Sequence, residues 1–279
     1  MQEIIQTLAR RYPQLCLPIR AGMRQSEEYR NAVLCGCPVE TEPEFLCPEA
    51  IELSSADTPA GTAEILSLGE RADFLHAYRA LAYRCEPKEI PDSVGAAAIR
   101  GLINWEKIRA HQEEYLRAGG GDWDAEFQRF TADRKNYTDS LILLSGGDYS
   151  NLPASAVGLD AEAWRQKSRL IRKYHELTHF VCRGLWPDDV DALRDEVIAD
   201  SIGVVAAFGK NDPALIRRFL GLEGGAFRAG GRLSHYVGED ELPAAVVRAD
   251  AMIDEYAARI ARAQTDGKDP LSLLLKIFP

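Results

Sequence analysis

The sequence is short of positive charge, of histidine and of long apolar stretches, and each shortage removes a class of function. Lys and Arg number 33 against 43 Asp and Glu, a formal net charge of −10. Phosphate backbones and anionic membrane surfaces are gripped by basic patches, so neither nucleic acid nor membrane is an expected partner. No apolar run approaches the roughly 20 residues that span a bilayer. The opening MQEIIQTLARRYPQLCLPIR has an early Glu3, no basic start and no apolar middle, so it does not read as a secretory signal. Six cysteines occur (Cys16, Cys35, Cys37, Cys47, Cys85, Cys182) but no CxxC. Without a signal, free thiols and a cytoplasmic location are the expectation. Cys35-Gly-Cys37 with Cys47 lacks a fourth soft ligand at a useful spacing. GxSxG is missing, which leaves a nucleophile-elbow serine unsupported, and Gly119–Gly121 has no GK[ST] or GxGxxG context for holding phosphate. There is no internal repeat and no low-complexity tract.

What is present suffices for a sizeable core: 279 residues, 46% hydrophobic, as one large domain or two small ones. Ile4, Ile5, Leu8 and Tyr12 share one face of a short helix. From Gly36 to Gly61 the chain is rich in Pro, Glu, Ser and Thr and reads as irregular connection with room for one short strand. GTAEILSL suits a strand, and ERADFLHAYRALAYR a helix. VGAAAIRGLINWEKIRAHQEEYLRA reads as one long helix or two, closed by Gly119–Gly121. SLILLSG, from Ser140, suits a buried strand. Beyond Asp160 the helical signal strengthens. Asp160 caps a helix over 161–183 with Gly184 as its stop; Pro187 and Asp188-Asp189 open another that runs to Phe208; a third spans Pro213 to Leu222. A Gly-rich loop, EGGAFRAGGRLSHYVG, precedes the last long helix, LPAAVVRADAMIDEYAARIARA. The terminal LSLLLKIF is expected to tuck into the core.

Two of the five histidines fall in HELTH, His175 to His179. A chance HExxH is expected in about one such chain in a hundred, or fewer. Residues four apart share a helix face, so both imidazoles can grip one ion. Leu170, Tyr174, Leu177, Val181 and Leu185 form an apparent apolar stripe, which puts the two histidines on its flank. A catalytic metal needs a third protein ligand and an open position. The next helix offers Glu196 and Asp200, again four apart. At 1.5 Å per residue, an antiparallel return brings Glu196 within about a turn of His179 and Asp200 level with His175. Glu196 can therefore be a ligand while Asp200 accepts the free ring N–H of His175, fixing its orientation. Ala192, Ala199, Gly203 and Ala207 beside these carboxylates would let the helices approach closely, and Val190, Leu193, Val197, Val204 and Phe208 make a separate apolar stripe.

HELTH followed by DEVIAD resembles the glutamate-zincin (gluzincin) class of zinc metallopeptidases, with HExxH and then ExxxD on a following helix. The likeness covers about residues 160–210, and the sixteen residues between His179 and Glu196 are fewer than in the large peptidase families. It implies an α+β, mainly helical fold: a zincin-like helical metal-site subdomain with a small sheet, over 136–279, after a mainly helical 1–135 region of unread role. It implies Zn2+ held by His175, His179 and Glu196, Glu176 as general base, Asp200 as support for His175, and a peptide or small amide as substrate. An oxyanion donor is expected from His235 or Tyr236 first, with Arg232, Tyr137 and Tyr149 behind them. His76 and His111 are not expected to be ligands. Two other readings stay open: a structural zinc joining two helices, closed by Cys182 or Asp195, beside a partner-binding N-terminal half; and a zinc hydrolase of non-peptide amides or esters.

Overall fold

A computed structural model describes residues 2–263 and 269–278. The fold is α+β and mainly helical. It divides into two units: residues 1–55, 64–90 and 97–145 form the first, and 56–63, 91–96 and 146–279 the second.

The first unit opens with α1 (Gln2–Arg11), whose Ile5 and Leu8 are buried, and a single helical turn α2 (Glu27–Tyr29). Four strands follow along the chain, β1 (Ile51–Thr58), β2 (Gly61–Leu68), β3 (Ala96–Ile103) and β4 (Thr138–Ser145), in the order β1-β2-β4-β3; of these, residues 56–58, 61–63 and 96 are counted with the second unit. The central pair, β2 and β4, runs parallel, with Leu66 opposite Leu143. Leu141, Ile142, Leu143 and Leu144 are all buried, the near-continuous apolar run expected of a strand covered on both faces. Helix α3 (Arg71–Ala82) packs on β4 and buries Phe74, Ala77, Ala80 and Leu81. Helices α4 (Trp105–Arg117) and α5 (Trp123–Thr131) complete the unit.

Three stretches depart from the reading by pattern. The 36–61 segment contains a full eight-residue strand, β1, rather than a short one. AAAIRGLI is β3, not helix: the alanines favour a helix locally, but the stretch pairs with β4 at the sheet edge. Asn104 then starts α4, its side chain accepting from the backbone N–H of Glu106 at 2.9 Å. The division at Ser145/Gly146 keeps β4 with its sheet, whereas the pattern of the chain suggests a boundary at 135/136.

The second unit is built on α6 (Ala161–Leu185), α7 (Ala192–Phe208), α8 (Pro213–Leu220) and α9 (Leu242–Ala263). A two-stranded ribbon, β5 (Leu222–Glu223) with β6 (Ala226–Phe227), and a last short helix, α10 (Leu274–Ile277), complete it. Helix α7 is the centre: residues 197–205 are buried without a break, and it packs on α6, α8 and α9. It starts later than the acidic pair suggests, because Asp191 supplies the cap, its carboxylate accepting from the N–H of Arg194. Gly184 lies inside α6 instead of ending it. In the terminal segment Leu271, Leu273, Leu274 and Ile277 are buried.

The buried face of α6 also differs from its apparent apolar stripe. Leu170 and Leu185 are exposed, while Ser168, Ile171, Arg172, His175, Thr178, His179 and Cys182 face inward. The histidines therefore sit in the middle of the covered face, because α7 brings polar partners to meet them there.

Candidate metal centre

The site is made by the α6–α7 pair. Asp160 caps α6, accepting from the N–H of Ala163 at 2.8 Å, and the helix then runs unbroken through HELTH. Gly203 lets α7 close on it: a Cβ there would lie 2.7 Å from the backbone oxygen of Ile171. At that separation the carboxylates of α7 reach the imidazoles of α6.

His175 and His179 lie one turn apart, edge to face, with ring planes 82° to each other and Nε2 atoms 3.1 Å apart. Glu196 faces both, with Oε1 3.2 Å from His179 Nε2 and Oε2 3.4 Å from His175 Nε2. A tetrahedral ion with ligand bonds of about 2.0–2.1 Å has ligand–ligand edges of about 3.3 Å, so these spacings fit one divalent cation. Two imidazoles and a carboxylate are a donor set that suits such an ion. Among the described residues no further His, Cys, Asp or Glu joins the group.

Behind the donors lies a fully buried carboxylate, Asp200. Its Oδ1 accepts from His175 Nδ1 at 2.9 Å and from the Tyr149 hydroxyl at 2.6 Å. Arg232 Nη2 donates to Oδ1 at 3.1 Å and Oδ2 at 3.0 Å, and reaches Glu196 Oε2 at 3.3 Å. The Nδ1 bond to Asp200 turns the other ring nitrogen of His175 toward Glu196 and His179. Burial raises the Tyr236 hydroxyl, and the nearby Glu196 and Asp200 carboxylates push it the same way.

These contacts set the charges. Burial alone would lower the His175 imidazolium; the carboxylates of Glu196 and Asp200 outweigh it and push it up to about 10. Burial opposes ionisation of Glu196 too, but the two histidines hold its carboxyl well below the usual range. Asp200 is lowered in spite of burial by Arg232 and His175. Burial drives the Tyr149 hydroxyl upward, so it remains a donor.

The other candidates fall as follows. Glu176 is half-buried, and among the described residues no hydrogen bond or ion pair engages it. His235 is exposed, its recorded neighbour the Tyr236 ring, centroid to centroid 6.3 Å. Cys182 is buried, its thiol pushed up to about 12 by desolvation and by Asp195, and neither residue joins the metal group. Cys35 and Cys37 are exposed free thiols. His76 bonds the Leu15 carbonyl and His111 the Glu126 carboxylate. Tyr137 belongs to the first unit. The sequence offers Arg232 and Tyr149 only as weaker oxyanion candidates, whereas the structure places both against Asp200. No local signal marks this placement, since they lie 32 and 51 residues from Asp200 in sequence.

The chain belongs to a family of unknown function, DUF7005, which matches over residues 1–272. No curated protein and no solved structure matches it.

Proposed function

We propose that this DUF7005 member is a zinc-dependent hydrolase of the metallopeptidase type. The observation that carries the reading is the convergence of His175, His179 and Glu196 at tetrahedral spacing, with no fourth side-chain ligand among the described residues. A closed structural site would be expected to supply four. When bound, zinc would polarise a carbonyl and lower the pKa of a coordinated water to about 7.

The chain's own residues would do the rest. His175 and His179 would bind through Nε2, and Glu196 would contribute the charged ligand. Asp200 holds His175 in the binding tautomer. Glu176, next to His175 and without an ion pair or hydrogen bond among the described residues, would accept a proton from the attacking water and return it to the leaving amine. Tyr236, whose hydroxyl feels the Glu196 carboxylate, is the first candidate to steady an oxyanion; exposed His235 is the second.

Glu176→Gln tests the reading. With zinc-loaded protein and a mixed library of quenched peptides, the variant should keep its metal and lose about 10²–10⁴-fold in kcat. Equal cleavage by variant and wild type would overturn the assignment.

A further inference from the structure

We propose that Arg232, together with the Tyr149–Ser150 turn, is a positioning device for the metal centre: it holds Asp200, and through it the His175 ring, in the pose that presents Nε2 to the ion. The inference rests on the metal-centre reading above and extends it to residues outside the helix pair.

The geometry is specific. Asp200 Oδ1 takes three donors, from His175, Tyr149 and Arg232. The Arg232 fork spreads over both carboxylates, with Nη2 on Asp200 and Glu196 and Nη1 on Ser150 Oγ at 2.9 Å. Its Nε is buried and has no hydrogen-bond partner among the described residues. A guanidinium placed only to satisfy itself would not leave that donor orphaned. The same group lies over the Tyr149 ring, 5.2 Å from its centroid.

Both supports reach the site by constrained backbone. Ser150 and Asn151 take positive φ, 53° and 54°, though neither is glycine. Arg232 is brought in where Gly221 and Gly231 meet: a Cβ on either would lie 2.6 Å from the other's Cα. Leu233, fully buried, pins the next residue. A buried charge cluster is a weak source of stability compared with apolar packing, and strained residues persist where neighbours over-determine them. Holding a metal-binding histidine accounts for both costs, because orienting groups of this kind change metal affinity 10–100-fold.

The test titrates metal-depleted full chain with Co2+, following the visible d–d bands, and with Zn2+ in competition with a chelator. Wild type, Tyr149→Phe, Arg232→Ala and Arg232→Lys are compared, with circular dichroism as the fold control. Tyr149→Phe and Arg232→Ala should bind about 10–100-fold more weakly with altered cobalt bands, and Arg232→Lys should recover part of the loss. Folded variants with wild-type affinity and wild-type bands would overturn the inference. Should Arg232→Ala fail to fold, Tyr149→Phe decides, since it keeps the ring contact with Phe219. Wild type that binds neither metal would overturn the underlying metal-centre reading instead, a result distinct from variants that match a metal-binding wild type.

Discussion

Glu196 and Asp200 are two carboxylates on one helix, one turn apart, with different work set by their surroundings. Glu196 faces both imidazole Nε2 atoms and is the proposed charged ligand. Asp200 is fully buried and enclosed by Tyr149, His175 and Arg232. Glu196→Ala should therefore abolish tight metal binding, whereas Asp200→Asn should weaken it about 10–100-fold, as measured by chelator competition. The metal-free protein also carries a pH signature. His175 has its folded value raised to about 10 from an ordinary 6.5, so the folded state holds the proton more tightly. That contribution is fully present below about pH 6.5 and fades as pH rises through about 10. The Tm of metal-free wild type should fall over that window, and that of His175→Ala should fall less. Most of this site is legible in the sequence, because four-residue spacing on helices dictates which side chains share a face. Arg232 and Tyr149 are not, since loops bring them in and loops carry no periodicity.

At the scale of elements, the site depends on how closely α7 approaches α6. Gly203 sets that distance, with the Ile171 carbonyl where a side chain would have to go. Gly203→Ala should destabilise the fold by about 1–3 kcal/mol in urea unfolding and weaken metal binding together. Loss of stability with unchanged affinity would place the contact outside the site's control. The last long helix follows from apolar spacing, with Ala245, Val246, Ala249, Ile253, Tyr256 and Ile260 buried along α9 (Leu242–Ala263). The stretch at 96–103 does not, because an alanine-rich sequence with good helix propensity lies at a sheet edge, where pairing with β4 decides. The covered face of α6 was similarly hidden: its polar residues are buried by what α7 presents, which the α6 sequence alone does not contain.

At the scale of the molecule, the chain makes two units, and residues 56–63 and 91–96 belong to the second though they lie amid the first in sequence. Such membership arises from contacts between distant residues and leaves no compositional shift at a single boundary. No helix among the described residues is long and apolar enough to cross a membrane. Since the proposed zinc ligands come from two helices of the second unit, binding should stabilise the folded state. At free zinc about 100-fold above Kd the gain is about 2.7 kcal/mol. Hydrogen exchange should then show added protection across α6 and α7. The most direct test of the central claim is metal analysis of purified chain, zinc-loaded and dialysed, beside Glu196→Ala handled identically. The account predicts about one zinc per wild-type chain and far less in the variant; a folded wild type that retains no zinc, or a variant that retains as much, would contradict it.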